Sequence, residues 1–170
     1  MFIVLTIKKC RNTIHSKRST EIAENKKNIN NSIVIIDDDK WIVKLVRNML
    51  EKYGFTVIEA MTPHEGLELI ISERPLLVLL DLSLPNVDGD SLLYLIKNMK
   101  MTEDTNIIIL SALITKEKIK ATYQLGAAGF IAKPFEEKLL IQKINECLDK
   151  DSIKKLKKET EIKEEFFIKI

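Results

Sequence analysis

The stretch Pro75-Leu76-Leu77-Val78-Leu79-Leu80-Asp81 decides the fold. The proline ends any helix before it, and the apolar run that follows is too short to be a helix of its own. With no polar alternation, it reads as a strand covered on both faces, hence a central strand of a parallel sheet. Its last residue is a carboxylate. Working outward, the same pattern recurs: Ser32-Ile-Val-Ile-Ile leads into Asp37 and Asp38, Ile107-Ile-Ile-Leu into Ser111, and Gly129-Phe-Ile-Ala into Lys133.

Helical patterns fill the intervals. Lys40 to about Tyr53 is a helix with apolar positions Ile42, Val43, Leu45, Val46, Met49 and Leu50, Asp39 as its cap and Gly54 at its stop. Phe55–Glu59 alternates apolar and polar residues, as an edge strand does. Thr62 caps a helix with Pro63 at its first position, and Leu67, Ile70 and Ile71 form its apolar face. Asp88-Gly89-Asp90 opens a helix to about Met99, its two acids suited to the dipole there. Asn106–Leu110 is a fourth strand. Thr115 caps a weakly amphipathic helix that Gly126 stops, and Pro134-Phe135 leads into a last helix through Leu148. Five strands alternating with five helices predict a doubly wound α/β layer with helices on both faces.

In such a sheet, ligands bind at the carboxyl edge of the strands. If the four polar-ended runs are neighbours, three carboxylates, a hydroxyl and an ammonium converge there. Clustered carboxylates repel unless a cation lies between them, so the pattern implies a metal and a phosphate-like partner.

Composition narrows the alternatives. The 170 residues are 45% apolar, enough for one substantial core. Residues 1–31 carry seven Lys/Arg against two acids, and read as a flexible, basic, solvated leader. Residues 32–148 carry thirteen basic against seventeen acidic residues, which argues against a dedicated nucleic-acid-binding face. Cys10 and Cys147 lack paired spacing, so neither a zinc site nor a disulfide framework is expected. His15 and His64 read as surface residues. No run approaches a membrane span, and the charges of the leader follow its apolar start, the reverse of a secretory signal. A cytoplasmic protein is expected. Residues 150–170 form a charged tail rich in helix formers, ending Phe166-Phe167-Ile168-Lys169-Ile170.

These motifs carry a resemblance. Ile35-Ile36-Asp37-Asp38-Asp39, Leu79-Leu80-Asp81-Leu-Ser-Leu-Pro85 with Gly89, Leu110-Ser111-Ala112, and Gly129-Phe130-Ile-Ala-Lys133-Pro134-Phe135 resemble the receiver domain of two-component response regulators, most like the stand-alone chemotaxis type, over residues 32–149. The resemblance implies the flavodoxin-like strand order 2-1-3-4-5.

It also implies roles. Asp81 accepts a phosphoryl group from a histidine kinase or phosphotransfer protein. Asp37, Asp38, Asp81 and the backbone carbonyl of Ser83 hold Mg²⁺, which prefers oxygen ligands and keeps several waters. Lys133 pairs with Asp81 and then with a phosphoryl oxygen. Ser111 donates its hydroxyl to another oxygen, and Ala112 leaves room for the group to enter. Phe130 stands at the switch position, where many members carry tyrosine; it can pack inward but has no phenol to donate. Ser83 and Leu113 border the route of attacking water and bear on phosphoryl lifetime.

Two other readings compete. One is a phosphate-independent docking or dimerisation module, against which the complete set of polar residues argues. The other is an aspartyl phosphohydrolase, disfavoured because Ser83 stands where a second carboxylate is usual. The tail is too short for a helix-turn-helix DNA binder, so output by protein contact is expected, with a homodimer as one form of it.

Overall fold

The computed structural model describes residues 31–85, 89–112 and 115–148. The leader through residue 30, the tail from residue 149, and with them Cys10, His15, Asp88 and Leu113, lie outside the described residues. The chain alternates β1 (Ser32–Ile36), α1 (Lys40–Glu51), β2 (Thr56–Ala60), α2 (Pro63–Glu73), β3 (Leu77–Asp81), α3 (Gly89–Asn98), β4 (Ile107–Ser111), α4 (Lys116–Gln124), β5 (Gly129–Ala132) and a last helix, α5, over 137–148. All strands are parallel, in the order β2-β1-β3-β4-β5. The leucine-rich run is the middle strand, and the alternating Thr56–Ala60 run lies at an edge.

Successive strand side chains point to opposite faces, so each buried strand feeds two cores. Ile33, Ile35, Leu77, Leu79, Ile108 and Leu110 pack on one face against Val43, Val46 and Leu50 of α1 and Leu140, Ile144 and Cys147 of α5. Val34, Ile36, Val78, Leu80, Ile107 and Ile109 pack on the other against Ile70 of α2 and Leu92, Leu93 and Ile96 of α3. Each fully buried Leu or Ile stabilises the fold by about 1.5–3 kcal/mol in transfer free energy. A doubly covered β1 and β3 therefore make the rigid frame on which the strand ends are mounted.

The caps follow the sequence closely. Asp39 accepts from the Trp41 amide at 2.8 Å, Thr62 from Glu65 at 3.2 Å, and Thr115 from Lys118 at 3.1 Å. Glu65 reaches back to the Met61 amide at 2.8 Å, which makes the start of α2 a capping box shifted by one residue. Gly54 and Gly126 take positive φ after their helices. The helix α2 ends before Pro75, as expected, with Arg74 as its cap in the left-handed region at φ 46°. Proline disfavours the right-handed helical region for the residue before it, and that restriction falls on Arg74.

Candidate functional site

The register of the sheet builds the site. Ile36 pairs with Leu80, which sets Asp37, the next residue, level with Asp81, the last of β3. The Asp37 amide donates to the Ala60 carbonyl at 3.1 Å, so the chain turns into the site only after this residue is fixed by β2. Ser111, the last residue of β4, pairs with Ala132, and the Lys133 amide donates to the Ser111 carbonyl at 2.8 Å. Asp37, Asp81, Ser111 and Lys133 thus end four parallel strands at one edge, as read from the sequence.

The ammonium of Lys133 bridges two acids. Its Nζ lies 2.6 Å from Asp37 Oδ2 and 2.7 Å from Asp81 Oδ2. The side chains are 13% exposed for Lys133, 1% for Asp37 and 7% for Asp81. The second carboxylate oxygens are held by backbone: Asp37 Oδ1 accepts from the Asp39 amide at 3.0 Å, and Asp81 Oδ1 from the Ser83 amide at 2.9 Å. Asp38 is exposed beside them, and one oxygen from each of Asp37, Asp38 and Asp81 lies within 4.8 Å of the others. Three carboxylates face a single bridging ammonium in this cluster. That excess of hard oxygen donors, two of them on buried residues, suits a hard divalent cation.

Protonation follows from burial. Burial pushes the Asp37 carboxyl above the ordinary carboxylate range, aided by the Asp81 charge and opposed by hydrogen bonds from Lys133 and the Asp39 amide. Burial alone would lower Lys133, but its hydrogen bonds and charge contacts with Asp37 and Asp81 outweigh that and raise it. The ammonium is therefore charged at neutral pH.

Of the other residues singled out, Ser111 is buried and Ala112 is exposed. Ser83 is exposed within the loop that leaves Asp81. Phe130, opposite Ile109 in β5, is half-buried and packs on the α2–α3 side core.

Three features escaped the reading of the sequence. Lys133 serves Asp37 as well as Asp81. The Lys133–Pro134 peptide is cis. Gly89 is the third: a Cβ there would run into the backbone at Leu82 Cα and stand 2.9 Å from the Asp81 carbonyl oxygen. Its amide donates to the Leu82 carbonyl at 3.3 Å, so α3 begins against the loop that leaves Asp81. The available signal was a glycine at the start of a helix, where its conformational freedom is a cost unless backbone must pass close by.

The chain matches the family described as the response regulator receiver domain over residues 33–145. It belongs to that family. It is 35% identical over 109 residues to sporulation initiation phosphotransferase F of Bacillus subtilis, covering 64% of this chain and 86% of that protein. It is 33% identical over 132 residues to the DNA-binding dual master transcriptional regulator RpaA of Synechocystis, covering 76% of this chain and 54% of that one. The chain thus spans most of the first relative but about half the length of the second. Among solved structures, a response regulator receiver domain protein (CheY-like) from Methanospirillum hungatei superposes with a TM-score of 0.67 at 32% identity, over 72% of this chain and 97% of that one. This receiver domain is a component of two-component systems. No helix among the described residues is long and apolar enough to cross a membrane.

Proposed function

We propose that this receiver works as a phosphoryl-accepting switch, with Asp81 as the acceptor. The observation that carries the reading is the buried bridge from Lys133 to Asp37 and Asp81 at the carboxyl edge. The Asp81 carboxylate attacks the phosphorus of a phosphohistidine on a kinase or phosphotransfer protein. The new bond is oxygen to phosphorus; the bond that breaks is phosphorus to imidazole nitrogen, and the freed histidine takes up a proton. Asp37, Asp38, Asp81 and the Ser83 carbonyl would hold Mg²⁺. Bound there, the ion supplies positive charge to the developing phosphoryl oxygens.

This chain's own groups do the rest. Lys133 holds the Asp81 oxygen in place beforehand and passes to a phosphoryl oxygen afterwards. The Ser83 amide keeps the other Asp81 oxygen oriented. Ser111 donates its hydroxyl to the phosphoryl group, Ala112 leaves the entrance open, and Ser83 and Leu113 control the approach of water. When Ser111 moves, Phe130 packs deeper, changing the surface that a protein partner reads. The population of the two arrangements then follows the charge at Asp81.

The receiver unit in this reading is residues 32–149, flanked by the segments 1–31 and 150–170. Donors that carry phosphohistidine place its work in the cytoplasm. Incubation with acetyl phosphate and Mg²⁺, followed by intact-mass measurement, tests the acceptor. A single phosphoryl addition is expected on the native chain and none on Asp81→Asn. A modified Asp81→Asn protein would overturn the assignment.

A further inference from the structure

α3 and α4 are anchored very differently. α3 buries Leu92, Leu93 and Ile96 in the core, whereas α4 fully buries a single residue, Thr122, whose hydroxyl turns back to the Ile119 carbonyl at 2.9 Å. An element with so little buried apolar surface belongs to the low-stability end of a fold. Across the two helices runs an ion pair between Lys118 and Asp90, about three-quarters buried at each side chain (25% and 24% exposed).

The position of Lys118 is informative. It lies in the first turn of α4, where a cation opposes the helix dipole, so its charge does not serve the helix that carries it. Asp90 lies in the first turn of α3, where a carboxylate is favourable. Both turns adjoin the site. α3 starts at Gly89, against the loop after Asp81, and Thr115, which caps α4, is four residues beyond Ser111. Ser111 thus lies four residues from the cap of a helix that fully buries a single residue.

We infer that the Asp90–Lys118 ion pair is a latch that holds α4 on α3 in the unphosphorylated protein and sets how readily the switch turns over. The inference rests on the phosphoryl-switch reading. Asp90 and Lys118 are positioning residues in it, since they act through α4 on the phosphoryl site. Opening the latch lowers the cost of the activated arrangement, so any ligand that favours that arrangement binds more tightly.

The test uses the full chain with Lys118→Met, Asp90→Asn and the doubly reversed Asp90→Lys/Lys118→Asp. Amide hydrogen exchange over 116–124 is measured first, without metal or phosphoryl mimic. Faster exchange is expected in both single variants, and a return toward native rates in the double. The affinity for beryllofluoride with Mg²⁺ is measured next. An ion pair of this exposure leads us to expect about threefold tighter binding in each single variant. A general loosening of the domain would weaken that binding instead, which separates a latch from a merely structural contact.

Unchanged exchange in the single variants overturns the latch, as does equal or weaker beryllofluoride affinity. The acceptor reading has its own control. Failure of the native chain to bind beryllofluoride, or equal binding by Asp81→Asn, removes the switch on which the latch would act. Failure of the latch alone leaves the native-against-Asp81→Asn difference intact.

Discussion

Lys133→Met removes an ammonium that serves two buried carboxylates while keeping most of the side-chain volume. Asp37 and Asp81 are 1% and 7% exposed, so neither can turn to water without moving backbone. Breaking a buried ion pair by deleting one partner costs about 3–5 kcal/mol. The lower end applies here, because the Asp39 and Ser83 amides still bind one oxygen of each acid, and Asp37 can take up a proton. In urea, with a slope of about 2 kcal/mol per molar, a loss of about 3 kcal/mol lowers the unfolding midpoint by about 1.5 M. Far-UV circular dichroism at pH 7 in EDTA is the assay. Mg²⁺ provides the second half of the test. A ligand at 100 times its dissociation constant stabilises by about 2.7 kcal/mol. A cation entering Lys133→Met also relieves the exposed repulsion, so the variant should gain more from saturating Mg²⁺ than the native chain does. An unchanged midpoint in EDTA would show that the bridge contributes nothing to stability. An equal Mg²⁺ gain in both proteins would show that ammonium and metal do not answer the same charge.

The pH dependence of the metal-free protein has a definite sign. Asp37 is raised in the fold, so its contribution to stability is present below the ordinary aspartate value and is lost as pH rises through the folded value. Asp37→Asn, fixed in the shape of the protonated acid, should therefore raise the neutral-pH urea midpoint in EDTA, while weakening Mg²⁺ at least about tenfold by calorimetry. A lowered midpoint would contradict the burial argument. Lys133 is raised as well, so its contribution holds through neutral pH and disappears in alkali, as pH passes its folded value. Gly89→Ala forces a methyl group into Leu82 and the Asp81 carbonyl. A cost of about 2 kcal/mol is expected, lowering the melting midpoint by about 5 °C or more, with slower phosphorylation of Asp81. A native melting curve would mean that the loop yields freely.

Much of the site was legible because a parallel strand buried on both faces leaves a plain mark: an apolar run, then a polar residue. Asp37, Asp81, Ser111 and Lys133 each follow such a run, and a doubly wound sheet brings the ends of its strands to one edge. The caps at Asp39, Thr62 and Thr115 were legible for a related reason, since they depend on contacts within four residues. The end of α2 was legible too, since proline disfavours the helical region for the residue before it, here Arg74.

What sequence by itself determined was the inventory and its level along each strand: which residues are buried, which helices close with which caps, and which polar groups reach the carboxyl edge. Tertiary structure decided the pairings. Lys133 meets both Asp37 and Asp81 because β1 and β3 are neighbours and its own strand, β5, lies only one strand beyond them, across β4, a matter of strand order that no local pattern encodes. Gly89 is required by backbone seven residues away, and Lys118 finds Asp90 across 28 positions. Local spacing follows from the geometry of one helix or strand, whereas a contact between elements follows from how their faces pack, which only the assembled sheet sets.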